Sequence, residues 1–291
     1  MTEFRRRARF HQAQWREAMG YPIGSQPLRP RPAEVVRPVG SRMPLGFAKE
    51  TGANFLTDAA LTAATHRTSY IEREQSIDLQ GLWADLLAPT ALAFNLFGDL
   101  AADPVSADRA VHDWWPDVPG VVSDVCFEHS PGRLDPAFIA NLCAFSTMFT
   151  LDIGDSKGVA ALSTAYHGYN RPQPPKPARL ARYLHVTEAS GMFVPGFRSA
   201  VDGTDLIHIW LDHALMLSML QHISGTWSWG RFVVVYPADN CNFADACARY
   251  RELLHDDSTF ATMTVEEILD SGSLPATTTA AIRQRYVPAG G

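Results

Sequence analysis

Residues 144–167, AFSTMFTLDIGDSKGVAALSTAYH, read as two β-strands joined by a tight turn. Ala144–Ile153 is rich in aromatic and β-branched residues, Gly154-Asp155-Ser156-Lys157-Gly158 is a run of turn formers, and Val159–His167 returns from it as the second strand of a hairpin. Strand alternation places Ala161, Ser163, Ala165 and His167 on one face of that second strand, with Ser146 and Met148 facing the same side from the first. Working outward, Val121–Glu128 is a strand before the hairpin and Arg231–Tyr236 a strongly apolar one after it. Helices are expected near 178–190, 205–223 and 243–254. The N-terminal half reads as helical. Residues 3–19 take Phe4, Phe10, Trp15 and Met19 as apolar anchors, 54–65 has helical spacing, and 77–97 is apolar with an interruption at Pro89. Gly20–Pro38 is a Pro-rich connector. The pattern predicts an α/β fold, a mixed sheet flanked by helices. A basic arm and connector occupy 1–42, a single domain 43–270, and a tail 271–291.

Composition narrows the classes. An apolar fraction of 46% and a charged fraction of 19% over 291 residues suit a globular domain with its own core. Cys126, Cys143, Cys241 and Cys247 form no CxxC pair, so neither a zinc knuckle nor a disulfide framework is indicated, and a reducing, cytoplasmic setting is expected. The most apolar run, Leu206–Ile223, is broken by His208, Asp212, His213 and Gln221, so it predicts a buried helix and no membrane partner. Net charge is −6, divided unevenly: residues 1–42 hold nine Arg against three Glu, leaving −12 on the other 249 residues. A body of that sign opposes phosphate binding, so nucleic acid is a disfavoured partner that only the N-terminal arm would reach. The bland alternative for the arm is a solvated face or a strap. No Walker loop or dinucleotide fingerprint is present, and no cofactor is expected.

Several blocks together carry a family resemblance. They are His129-Ser130-Pro131-Gly132-Arg133-Leu134-Asp135-Pro136, the hairpin, Tyr236-Pro237-Ala238-Asp239-Asn240, Gly46–Leu56, Phe94–Gly98 and Ile209-Trp210-Leu211-Asp212-His213. In these the chain resembles a bacterial restriction-endonuclease-type branch of the PD-(D/E)XK nuclease superfamily. The resemblance implies a restriction-endonuclease-like mixed sheet. It also implies that active members place an Asp at an end of the first hairpin strand and Glu-x-Lys on the second, two carboxylates to hold Mg²⁺ and a Lys to orient water. Here those positions read Ser146, Ser163 and Ala165. Glu50 resembles the helix Glu of such nucleases. Cleavage needs hard oxygen ligands, so a degenerate, metal-free site and no nuclease activity are expected.

Short side chains at those positions would leave room for a small-molecule substrate. His167 titrates near neutrality and is a candidate acid–base residue, with Glu128 or Glu50 as its partner and Tyr166 beside it. Ser146, Ser163 and Tyr169 are candidate substrate contacts, and Arg133 a candidate anion holder. Each has a structural alternative: Tyr166 and His167 as retained scaffold, Arg133 paired with Asp135 in a tight turn, and the tryptophans as core or lid. His208 and His213 stand five apart, the wrong spacing for two zinc ligands on one helix face. Two expectations follow. One is a repurposed metal-independent isomerase, lyase or cyclase of specialised metabolism; the other is a catalytically dead homologue that binds nucleic acid or a protein partner.

Overall fold

The computed structural model describes residues 2–27, 36–75, 77–140, 143–168 and 175–287. The chain opens with α1 (Glu3–Ala18), capped by the Thr2 hydroxyl, which accepts from the Arg5 amide at 3.3 Å. A two-stranded antiparallel ribbon follows, β1 (Gly24–Pro27) with β2 (Val36–Val39), so part of the expected connector is paired strand. Then come α2 (Leu45–Thr51), α3 (Asp58–Ser69), α4 (Leu79–Ala84), α5 (Pro89–Ala102) and α6 (Pro104–Trp114). The remaining elements are β3 (Val121–His129), β4 (Phe145–Ile153), β5 (Ser156–Thr164), α7 (Pro177–Ser190), α8 (Arg198–Val201), α9 (Ile207–Leu220), β6 (Trp227–Tyr236), α10 (Cys241–Arg251), β7 (Phe260–Thr264), α11 (Val265–Asp270) and α12 (Ala276–Tyr286). Among the described residues no helix is long and apolar enough to cross a membrane.

β3 to β7 form one mixed sheet in the order β3-β4-β5-β6-β7, with β3, β4 and β5 antiparallel in succession and β6 and β7 running parallel to β5. The decisive hairpin is therefore β4–β5, turning at Gly154-Asp155, where Gly154 takes φ 58°. β6 is an interior strand, flanked by β5 and β7, and its C-terminal half is buried on both faces, which explains its unbroken Phe232-Val233-Val234-Val235 run. Val233 and Val235 pack with Phe149, Leu162, Phe94 and Phe97 on the α5 side, and Phe232 and Val234 with Trp210, Ala214 and Tyr250 on the α9 side. At about 25 cal/mol per Å² of apolar surface removed from water, these two cores are the main favourable term. The result is an α/β/α layering, a restriction-endonuclease-like arrangement.

Several expectations need correction. Pro89 does not interrupt a helix; it starts α5 at a position whose N–H needs no partner. The helix expected from 54 starts at Asp58, capped by Thr57, and α2 before it is separate. In α1, Phe4 and Trp15 are buried, whereas Phe10 is 66% and Met19 45% exposed. The second hairpin strand ends at Thr164, so Tyr166 and His167 lie beyond the ladder. Finally, described residues of the expected arm and tail contribute to the core: Phe4, Ala8, Ile282 and Tyr286 belong to its α5 side, and α12 carries Arg285 fully buried.

Candidate functional site

The end of β5 opens onto a cavity of about 270 Å³, lined by Ser163, Ala165, His167, His208, Asp212 and Phe243 among others. β5 supplies Ser163 because the alternation holds to the last ladder rung; beyond it the Ala165 amide still donates to Val235 O at 2.7 Å. Asp212 comes from the middle of α9, a helix that otherwise shows the sheet apolar side chains. Asp212 as a residue is half-buried, but its carboxyl is enclosed. Burial pushes that carboxyl up to about 7, against the lowering effect of a hydrogen bond from Ser163.

A second enclosed carboxyl belongs to Glu128, next to last in β3. Its backbone is in the left-handed region at φ 48°, costly for a non-glycine residue. The distortion is held from outside: Arg67 Nη2 and Gln75 Nε2 each donate to Glu128 O at 2.7 Å, and Arg67 Nε donates to Phe127 O at 2.7 Å. Burial pushes the Glu128 carboxyl up to about 7, with Asp212 and Glu72 adding to the rise and Arg67 and Arg133 opposing it. Arg133, its side chain 6% exposed, donates through Nε to Glu72 at 2.9 Å, while its Nη1 is buried without a hydrogen-bond partner. Burial alone would raise the Glu72 carboxyl, but hydrogen bonds from His129 and Arg133 bring it below its ordinary value. The expected Arg133–Asp135 pair is thus replaced by Arg133–Glu72, and Asp135 instead accepts from the Ala137 amide at 2.9 Å.

His167 is half-buried in the cavity wall, and its Nδ1 is buried with no hydrogen-bond partner. Burial and the charge of Arg5 hold its pKa below the ordinary value, so it is neutral at pH 7. Tyr166 turns the other way, 1% exposed, its hydroxyl accepting from Gln12 Nε2 at 3.1 Å and its ring edge-on to Phe4 and Tyr286. Burial raises its phenol further, which suits packing and not proton transfer. Ser146 is a staple across the hairpin: Oγ donates to Leu162 O at 2.8 Å and accepts from the Thr164 amide at 2.7 Å. Glu50 is exposed on α2 and is not part of the cavity wall. Tyr169 lies outside the described residues. His213 is fully buried, bonded to the Tyr250 hydroxyl at 3.0 Å and the Thr259 hydroxyl at 2.9 Å, and pushed down to about 3 by burial. Cys126 and Cys143 are pushed up to about 12 by burial, as expected of inert thiols.

A family model for the PD-(D/E)XK nuclease superfamily matches residues 2–288. The chain belongs to the PD-(D/E)XK nuclease superfamily. No curated protein and no solved structure matches it. Within this superfamily fold, the hairpin positions that the resemblance assigns to metal ligands hold two hydroxyls and a methyl group, Ser146, Ser163 and Ala165, and the Ser146 hydroxyl is already committed to backbone. Among the described residues no three His, Cys, Asp or Glu side chains are grouped to hold a metal ion. Those three side chains supply no carboxylate, the ligand type that a divalent cation prefers.

Of the residues singled out in the sequence, Ser163 and His167 line the cavity and Glu128 is enclosed without being part of its wall, whereas Asp212 was not singled out as a candidate. The signal was present. A carboxylate inside an apolar helix is almost never buried without a partner or a task.

Proposed function

We propose that the superfamily cleft serves here as a metal-independent acid–base site for a small organic substrate, catalysing an isomerisation, elimination or cyclisation. The observation that carries this reading is the pair of enclosed carboxyls, Glu128 and Asp212, each pushed up to about 7. Glu128 feels the charge of Asp212, and with both carboxyls raised to about 7 one can donate while the other accepts near neutral pH. Ser163, bonded to Asp212, orients it, and the neutral His167 across the cavity can donate to or accept from a substrate oxygen. Positioned proton transfer of this kind contributes roughly 10²–10⁴-fold in rate.

The test is solvent deuterium. Small-metabolite pools are incubated with the protein in ²H₂O and EDTA and followed by mass spectrometry. The expected result is deuterium uptake or loss of water in one component, present with the native protein and absent with Glu128→Gln and Asp212→Asn. Uptake that survives in both variants, or Mg²⁺-dependent cleavage of DNA or RNA by the native protein, defeats the proposal.

A further inference from the structure

A second pocket, of about 600 Å³, shares no residue with the cavity at the end of β5. One wall is a stripe of α3, Asp58, Ala59, Thr62, Ala63 and His66, whose spacing brings them to one helix face. Residues 124–127 of β3 form another. Strand residues alternate between faces, so four in succession mean that the pocket borders the strand's edge, and β3 is the terminal strand of its sheet. The hollow cannot close by the helices moving together. A Cβ on Gly98 of α5 would stand 2.6 Å from Ala60 Cα, so α3 and α5 already touch at their backbones. Ala59, Ala63, Ala101 and Ala102 are too short to fill the space that remains, space that a packed interior does not leave.

The fixed charges of the wall fall into two sets. Arg67 and Glu72, their side chains 12% and 11% exposed, are closed within the fold. Arg67 donates to the carbonyls of Tyr70, Phe127 and Glu128 and to the side chains of Glu72 and Gln75. Glu72 also holds Arg133 at 2.9 Å and His129 at 2.8 Å. Asp58 and Asp124 are exposed, and among the described residues neither carboxylate has a hydrogen bond or an ion pair. Asp58 opens α3, where a helix favours an acidic residue; Asp124 lies in a strand and has no such support. Tyr70, 68% exposed, adds a ring that attracts cations. The pocket thus combines apolar space with two unmatched carboxylates and no unmatched arginine or lysine.

We propose that this pocket binds a compact organic ammonium ion, its apolar body against the alanines and Val125 and its charge matched to Asp58 and Asp124. The chain outside residues 1–42 carries −12, a field that draws cations to the surface. An added peptide strand fits this edge less well. Arg67 already takes the Phe127 and Glu128 carbonyls, and Asp108 Oδ1 accepts from the Val122 amide at 2.8 Å, so the edge is closed at both ends. The site stands apart from the acid–base cavity, and neither reading needs the other.

Three ligands with one body and different ends are compared on the full chain by calorimetry and saturation-transfer NMR: tryptamine, its neutral alcohol tryptophol, and indole-3-propionate. Tryptamine should bind tightest and indole-3-propionate weakest. Asp58→Asn and Asp124→Asn should each weaken tryptamine about three-fold and together about ten-fold, the worth of two exposed ion pairs, with tryptophol unchanged. Asp155→Asn, at an exposed carboxylate in the hairpin turn, should change nothing. Ala63→Phe should fill the pocket and abolish binding; if it fails to fold, Thr62→Trp obstructs the same wall from an exposed position. Absence of tryptamine binding, equal or tighter binding of the alcohol or the acid, or full tryptamine binding in the doubly substituted chain overturns the proposal. A dimer in light scattering that Ala63→Phe turns into a monomer also overturns it, and gives the pocket to a second copy of the chain. Glu128→Gln and Asp212→Asn should bind tryptamine like the native protein. Weaker binding in those two variants would move tryptamine to the cavity at the end of β5 and overturn the second site, whereas a failed deuterium test leaves it standing.

Discussion

Two clusters of buried polar groups lie on either side of the Tyr166-His167 segment, and they are built on opposite rules. On the Tyr166 side, Gln12, Asn54, Asn95, Arg285, Tyr286 and Tyr166 are all 0–1% exposed and all bonded. Arg285 donates to Asn54 O at 2.7 Å and to Asn54 Oδ1, and its guanidinium lies over the rings of Trp15 at 4.5 Å and Tyr286 at 4.6 Å. Gln12 Nε2 reaches Arg285 O at 2.6 Å, and Asn95 Nδ2 bonds both Asn54 O at 3.0 Å and the Tyr286 hydroxyl at 2.9 Å. On the His167 side the backbone is strained at Glu128, two carboxyls sit near 7, and polar atoms of Arg133, His167 and Arg5 have no partner. A polar group buried for stability has its bonds closed within the fold. One buried for chemistry keeps a bond open for the ligand.

That contrast can be broken most decisively at Arg285. Arg285→Ala takes the donor from Asn54 Oδ1, leaves Asn54 O with only Asn95, opens a gap between two rings, and should cost about 4 kcal/mol in urea unfolding. A loss under about 1 kcal/mol would mean the latch is not what holds α12. On the other side, Asp212→Asn should abolish turnover, a fall of roughly 10²–10⁴, without a comparable loss of stability. Its pH dependence sharpens the point. A carboxyl raised to about 7 in the fold contributes stability at acid pH that is lost as pH rises from its unfolded value of about 4 toward about 7. The amide has no such slope, so the variant should gain on the native protein through that window and stay ahead above it. A constant difference in thermal midpoints from pH 4 to 8 would place the Asp212 pKa elsewhere. Gln12→Ala should cost about 2 kcal/mol, because it leaves a buried hydroxyl and a buried carbonyl short of a donor. Phe10→Ser, at a position 66% exposed, should change stability by less than about 0.5 kcal/mol in the same assay.

The sheet was legible where side-chain patterning is strong. β4, β5 and β6 stand within a few residues of their expected places because aromatic and β-branched residues are bounded there by turn formers. α12 was not legible. Its sequence, ATTTAAIRQRY, offers little apolar periodicity because its buried face is made of Thr278, Ile282, Arg285 and Tyr286, held by hydrogen bonds and ring faces. Tyr166, which the same alternation sets on the face opposite His167, was kept as a candidate for its phenol, and the structure packs it into the opposite core, the scaffold alternative. In the cavity wall, Ser163 and His167 were placed by strand alternation, while Glu128 was named for its chemistry alone. Asp212 stood out as a carboxylate within an apolar helix, but the helix pattern alone did not say that its side meets a cavity.

The latch also sets an order of events during synthesis. Gln12 meets Arg285 across 273 residues of chain, so α1 cannot seat until α12 has left the ribosome. At roughly 5–20 residues per second, that interval is on the order of tens of seconds. Throughout it the nascent helix can reach Tyr166 and Gly40 but lacks its partner Arg285. Release of α12 is therefore the step that lets the first helix of the chain close its contacts with the last.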